Sequence, residues 1–588
     1  MIRSAKVRAL CACVALAGCF TLFSARLVHL QVAKHDEYAA LAAEKHVNKQ
    51  IIYARRGLIQ DVNQETLAEN VPIVTVVADG SMIMDPVAVA EVLAQPLEMR
   101  EADLAAKLRS DRRYIVLKKK VPATLASTIA NRLRVRSLRG VTFEPDEARN
   151  YPNGSMLCHV IGFMNSEHDG VQGIEASMND YLRGHDGFRF TEHDRTGKEI
   201  VLYRGQERAA RDGCNVRLTV DLNLQHIVET ELEDACSKYK PEKAIAILMR
   251  PKTGEILALA NRPNFDLNDI RNKPADFLQQ NAEAMKNSAV IDMIEPGSTF
   301  KIVTASAALN ERLVSPSTII FCENGHFNFA GRMLHDHHGY GDLSVDDILM
   351  KSSNIGAAKL ALRLGDQKFY EYIRRFGFGE RTGISLPGEI SGVIHPPHKW
   401  AKIDITRIAM GHSVGVTPLQ SICAMSAIAN GGRLMMPQIV REIADDEGNT
   451  IATFPPVEIR RVITEEMANE VSNALKNVVS DKGTAALAKV AGFMVAGKTG
   501  TAEKINPAGG YFSGKYVVSF IGYLPADNPE FVGLVMLDDA KVSAELNYGG
   551  QIAGPIFARI AEKTARYLNL QPELEQPPSN VILTQRER

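Results

Sequence analysis

The chain has 588 residues, 45% of them hydrophobic and 23% charged, which is too long for one ordinary domain and is the composition of a folded protein with large cores. Its formal net charge of −1 argues against a nucleic-acid-binding protein or one held to a membrane surface by bulk charge. Eight cysteines in a chain of this size are no disulfide framework: Cys11, Cys13 and Cys19 lie in an N-terminal apolar stretch. Cys158, Cys214, Cys236, Cys322 and Cys423 remain, an odd number, and no essential disulfide is expected.

Residues 1–8 carry Arg3, Lys6 and Arg8 and read as a cytoplasmic tail. Ala9 to Ala25 is an uncharged, mostly apolar run that Leu27, Val28 and Leu30 extend past Arg26, so residues 9–30 read as a transmembrane anchor with everything after it outside the cytoplasm. Two readings compete with an uncleaved anchor. A cleaved signal peptide is disfavoured because Phe23-Ser24-Ala25 lacks a small residue at the first cleavage-site position. A lipoprotein signal is suggested by Leu16-Ala17-Gly18-Cys19, but the apolar run continues past Cys19 instead of turning polar.

Residues 31–215 mix strand-like runs (Ile73 to Ala78, Tyr114 to Leu117) with charge-rich helical segments such as Ala90 to Leu108. The charged and glycine positions of this domain read as turns and solvated faces that hold the domain together and offer partner surface, with no chemistry of their own. Residues 216–570 form the second domain. Asp221-Leu222-Asn223 opens a long helix to about Tyr239, and Ala244 to Met249 and Ile256 to Ala260 form a hairpin around Pro251-Lys252-Thr253-Gly254. Helical patterns follow at Asp346 to Arg363, Gln367 to Phe376 and Pro418 to Ala429. Strands return at Lys498 to Thr501, Val517 to Tyr523 and Phe531 to Leu537, and Pro555 to Leu568 closes as a helix. This order predicts an α+β fold, an antiparallel sheet with helices on its faces. Residues 571–588 are polar, contain proline and are expected to be disordered.

The chemistry centres on Ile294-Glu295-Pro296-Gly297-Ser298-Thr299-Phe300-Lys301. A buried helix starts at or near Ser298, and residues three apart share a helical face, so Ser298 and Lys301 stand side by side as nucleophile and base. A serine hydroxyl attacks poorly until something takes its proton. A lysine of ordinary pKa, about 10.4, is neutral in only about one molecule in a few thousand at pH 7, so burial or a second cation must lower it. Further on, Ser352-Ser353-Asn354 lies at a corner between two helices, and Lys498-Thr499-Gly500-Thr501 follows the apolar Val490 to Ala496 as a strand. S-x-x-K, S-x-N and K-T-G in this order are the signature of penicillin-binding proteins and class A β-lactamases.

On these motifs the chain resembles the class B penicillin-binding proteins, and among them the FtsI-type septal peptidoglycan transpeptidases. Further landmarks of the resemblance are Arg56-Gly57, Arg149-Asn150-Tyr151-Pro152-Asn153-Gly154, Gly173-Ile174-Glu175, Thr417-Pro418-Leu419-Gln420, Ala429-Asn430-Gly431-Gly432 and Ala496 to Ala502. Val62 and Gln64 depart from the pattern, standing where the family has an arginine and a turn glycine. The resemblance implies a non-catalytic pedestal over residues 31–215, a transpeptidase domain over 216–570 and no cofactor. It implies that Ser298 attacks the penultimate D-alanine of a stem peptide and Lys301 acts as base. Ser352 relays a proton to the leaving amine, and Asn354 holds Lys301 and the substrate amide. Lys498 supplies positive charge, and Thr499 and Thr501 bind the substrate carboxylate. Gly500 is expected to leave room for substrate beside the strand, and the backbone N–H groups of Ser298 and Thr501 to form an oxyanion hole.

Implied partners are peptidoglycan stem peptides, β-lactams, a membrane glycan polymerase and other division proteins; none is a nucleic acid. Division is favoured over elongation on overall resemblance alone. A D,D-carboxypeptidase is the first rival, and a non-enzymatic division scaffold is the rival from another class. A β-lactamase is disfavoured because no E-x-x-L-N supplies a deacylating glutamate. His335-Asp336-His337-His338 is not read as a metal site but as a solvated, glycine-rich loop. His412 is read as structural, Tyr511 as part of a loop beside the active-site strand, and Glu503 and Lys504 as solvent-facing.

Overall fold

The computed structural model describes residues 2–38, 47–165, 167–192, 207–270, 281–506 and 509–574. Contacts divide the chain into two units. The smaller contains the helix Ile2–Val28, which continues as a wider turn through Ala33 and is long and apolar enough to cross a membrane. It also holds a three-stranded antiparallel sheet in which Gly187–Glu192 lies between Val47–Ile52 and Glu207–Arg208.

In the larger unit, β1 (Ile59–Gln60) and the long β2 (Thr66–Ala78) lead into α1 (Pro86–Leu97), α2 (Glu101–Leu108), β3 (Ile115–Pro122), α3 (Ala123–Val135) and β4 (Val141–Asn150). The single helical pattern read over Ala90 to Leu108 is two helices, because Glu98 takes a left-handed conformation, φ +53°, that ends the first. β2 pairs with β3 and with β4, and α1 to α3 cover this sheet with a core of their own, including Val76, Leu93, Leu104, Leu117 and Ile129. The turn after β1 closes without its usual glycine: Gln64 adopts φ +70°, and the Asp61 carboxylate accepts the backbone N–H groups of Asn63 and Glu65 at 2.7 and 2.8 Å.

Three of the charged landmarks hold this domain together from inside it instead of lying on solvated faces. Arg56 and Arg149 both reach Glu175, with Nε to carboxylate distances of 2.6 and 2.7 Å, and all three side chains are buried. Burial alone would raise the Glu175 carboxyl. The two guanidiniums more than offset that and hold it below its ordinary value.

The remainder runs β5 (Asn215–Leu218), α4 (Leu222–Tyr239), β6 (Lys243–Met249), β7 (Ile256–Arg262), α5 (Lys301–Asn310), α6 (Val345–Lys351), α7 (Asn354–Leu364), α8 (Pro418–Ala429), β8 (Val440–Ala444), β9 (Thr450–Thr453), α9 (Glu465–Val478), β10 (Ala496–Ile505), β11 (Tyr511–Leu524), β12 (Phe531–Asp538) and α10 (Ala553–Tyr567). A five-stranded antiparallel sheet has the order β7-β6-β12-β11-β10, which leaves β10 at its edge. Helices pack on both faces. Phe520 meets Phe557 of α10 at 4.8 Å, while Tyr523, of opposite parity on β11, donates to Ser472 of α9 at 2.8 Å. A second sheet, β9-β8-β5-β1-β2-β3, draws strands from both sides of residue 215, with β1 and β5 parallel. The expected tail is fixed at its start, where the N–H groups of Glu573 and Leu574 donate to Gly492 O at 2.8 and 3.1 Å; its remainder, 575–588, lies outside the described residues.

Candidate active site

Ser298 stands on a single 3-10 turn, Gly297–Phe300, that runs into α5, so the α-helix itself begins at Lys301. Side chains three apart eclipse one another in a 3-10 turn, which puts Ser298 and Lys301 on one face. Thr299 Oγ1 closes the turn by donating to Pro296 O at 2.8 Å. Gly297 has φ +55°, and a Cβ there would lie 2.9 Å from Thr501 O, so glycine is what lets the turn approach β10. Ser298 is half-buried while Gly297, Thr299 and Phe300 are buried, which leaves the serine as the open side of the turn.

Lys301 Nζ donates to Ser352 O at 2.6 Å, to Asn354 Oδ1 at 2.7 Å and to Ser352 Oγ at 3.2 Å. Ser352 Oγ also accepts from Lys498 Nζ at 2.9 Å. Both lysines are buried, at 1% and 0% exposure. Burial brings Lys301 down to about 7, with the Asp336 carboxylate pulling the other way. Lys498 is pulled well below its ordinary value by burial and then by the charge of Lys301. Of the five residues read as catalytic from the sequence, Lys301, Ser352, Asn354 and Lys498 are thus joined by hydrogen bonds, and Ser298 stands on the turn three residues before Lys301.

The corner expected at Ser352-Ser353-Asn354 is present: it separates α6 from α7 within the helical stretch Asp346 to Arg363. Ser352 adopts φ +59° there. Asp336 locks the corner: its carboxylate accepts Ser353 Oγ at 2.6 Å, the N–H of Ile355 at 3.1 Å and the N–H of Asn354. Asn354 Nδ2 donates in turn to His335 O at 2.9 Å. The sequence reading left Asp336 in a solvated loop. The neighbouring histidines are exposed, but Asp336 is a capping group that also faces Lys301 electrostatically. Only its distance in sequence from α7 hid it.

Thr499 and Thr501 alternate with Lys498 and Gly500 along β10 and face the other side of the strand. Thr499 Oγ1 and Thr484 Oγ1 are 3.1 Å apart, and Thr501 Oγ1 accepts the Gly549 N–H at 3.2 Å. Gly500 has a packing reason beside the one read in the sequence. A Cβ there would lie 2.3 Å from Ser519 Oγ on the neighbouring strand, 3.0 Å from Thr299 Cγ2 and 3.1 Å from Pro296 O, so packing against β11 and the serine turn already requires glycine.

Glu295 lies behind the turn. Its buried carboxylate accepts the Ser413 N–H at 2.7 Å and the Tyr511 hydroxyl at 3.0 Å, which ties three segments together. Burial raises Glu295 and pushes Tyr511 up to about 12. Tyr511 is therefore the first residue of β11 and a linking group, not a loop residue. His412 is half-buried against it, ring centroids 6.4 Å apart, and burial lowers its imidazole to about 4. Glu503 is exposed, whereas Lys504 pairs with Asp538 at 2.8 Å and with Glu242. No cluster of three or more metal-ligating side chains occurs among the described residues.

Residues 244–562 match the penicillin-binding protein transpeptidase domain family, and residues 51–218 match the penicillin-binding protein dimerisation domain family. The chain is 34% identical over 563 residues to stage V sporulation protein D of Bacillus subtilis, covering 95% of this chain and 85% of that one. It is 30% identical over 571 residues to peptidoglycan D,D-transpeptidase FtsI of Escherichia coli, covering 96% and 92%. Among solved structures it is similar to penicillin-binding protein 3 of Mycobacterium tuberculosis complexed with aztreonam, at a TM-score of 0.69 and 27% identity over 90% of this chain and all of that one. With one family matching more than half of the chain and a second matching the region before it, the chain belongs to the class B penicillin-binding proteins of the FtsI family.

Proposed function

We propose that the chain is a serine D,D-transpeptidase that cross-links peptidoglycan stem peptides in septal wall synthesis and is acylated by β-lactams. The observation that carries this reading is a buried lysine brought to about 7, three residues from a half-exposed serine and bonded to Ser352 and Asn354. Ser298 Oγ attacks the carbonyl carbon of the penultimate D-alanine and Lys301 takes its proton. The carbon–nitrogen bond breaks, and a proton relayed through Ser352 leaves with the terminal D-alanine. The Ser298 ester is then attacked by an amine of a neighbouring stem; an amide forms and the serine regains its proton.

In this reading Asn354 positions Lys301 and the substrate amide, and Lys498 with the hydroxyls of Thr499 and Thr501 binds the terminal carboxylate. Gly500 keeps the serine turn packed against the strand that substrate adds to. The N–H groups of Ser298 and Thr501 hold the oxyanion, each worth about 3 kcal/mol. We also read the N-terminal helix as a single-pass anchor with residues 1–8 in the cytoplasm, followed by a pedestal to residue 215 and the catalytic domain to 570 outside. A membrane glycan polymerase is the partner that the family resemblance implies.

The test gives the full-length protein a stem peptide ending in D-Ala-D-Ala together with an amine acceptor and follows products by mass spectrometry. An amide-linked dimer with release of D-alanine is expected, and neither with Ser298→Ala. Hydrolysed peptide alone would make the protein a carboxypeptidase, and no release of D-alanine would overturn the enzymatic reading.

A further inference from the structure

The chain as a whole is nearly neutral, yet residues 107–139 hold eleven lysines and arginines against one acid, Asp111. The topology gathers many of these at one pole of the lobe that α1 to α3 build on β2. β2 ends at Ala78, which pairs with both Ile115 at the start of β3 and Val141 at the start of β4. α3 returns antiparallel to β3, so its C-terminus reaches the same pole. Two backbone bonds close the arrangement: Asp79 N–H to Gly140 O at 2.8 Å and Gly80 N–H to Arg112 O at 2.9 Å. Arg109, Arg112, Arg113, Arg132 and Arg139 are all exposed there, and none has a carboxylate partner among the described residues.

The same pole exposes apolar side chains. Met84 is fully exposed and Val135 is 82% exposed, with Met82 and Tyr114 each more than half exposed. Between α1 and α3 runs a groove of about 430 Å³ lined by Val92, Gln95, Asn131, Arg132 and Val135, and crossed by a 3.0 Å ion pair between Arg136 and Glu91. A mixed polar groove that exposes Val135 and arginine side chains, on a pole that also exposes methionines and a tyrosine, offers the residue types enriched at protein interfaces.

We propose that this pole is a docking site for an acidic, amphipathic helix of a partner protein. Its apolar face would lie on Val135, and its carboxylates on Arg112, Arg132 and Arg139. The concave groove favours a helix over a membrane surface, which would meet a flat or convex face of lysines. The lobe has its own hydrophobic core, and the arginines contribute nothing to it, so they can be changed without unfolding it.

The test places a photo-cross-linking phenylalanine analogue at Val135 in the full-length chain, irradiates native membranes and sequences the attached peptide. The expected adduct is a peptide rich in aspartate and glutamate. Its yield should fall at least tenfold when Arg112, Arg132 and Arg139 are replaced by glutamate, while acylation by penicillin is unchanged. No adduct, a lipid adduct, a neutral or basic peptide, or a yield indifferent to the charge reversal would each overturn the proposal.

Discussion

Two lysine amines share one hydroxyl, Ser352 Oγ, at 3.2 and 2.9 Å, inside a buried site. Water cannot screen them there, so charging one penalises the other, and burial penalises both. For Lys301 this turns an ordinary surface cation into a base usable near neutrality. A base works when deprotonated, so the rate of acylation by penicillin should rise with pH through about 7 and be lost below it. Lys301→Ala should slow that step by about 10²–10⁴-fold. Asp336→Asn removes the one group that pulls Lys301 upward, so the rise should move to lower pH, readable in the same pH series. The serine–lysine pair was legible in S-x-x-K; Asp336 was not, because no short spacing links it to the helix it caps.

Glu175 carries a second residue-scale prediction. Removing one partner from a buried charge group leaves the others uncompensated, so Glu175→Gln should cost about 3–5 kcal/mol, measured by urea unfolding. Its carboxyl is lower in the folded than in the unfolded state. The stabilisation is therefore complete above its ordinary value of 4.5 and is lost as pH falls through the lower folded value. Sequence alone gave these residues a structural role but not their burial or their partners, which lie 119 and 26 residues away.

At the scale of elements, the site depends on how closely the serine turn and β10 approach. Gly500→Ala should slow acylation, and adding Ser519→Gly should restore part of the rate, since Ser519 Oγ is the nearest atom to the new methyl. A loss unchanged in the double variant would return the cause to the substrate side of the strand. Hairpins and helices with strong local patterns, such as β6–β7 and α8, were readable in advance. The corner at Ser352 was also readable, from the Ser-Ser-Asn between two helical runs; the break at Glu98 was not, because helical propensity runs through it and the left-handed residue carries no local signal.

Across the whole molecule, the pairing of β8 with β5 joins segments such as Asn215 and Asp445 that are 230 residues apart, which no periodicity could reveal. Order of elements was legible; sheet neighbours at that separation were not. None of the described side chains of the N-terminal helix is buried, so a chain starting at residue 31 should no longer sediment with membranes yet be acylated at an unchanged rate. The most direct test of the account is intact-mass measurement after incubation with a fluorescent penicillin. One stable adduct should form on the wild type and none on Ser298→Ala. A folded wild type that stays unmodified, or an adduct that persists in Ser298→Ala, would contradict the assignment of Ser298 as the acylated nucleophile.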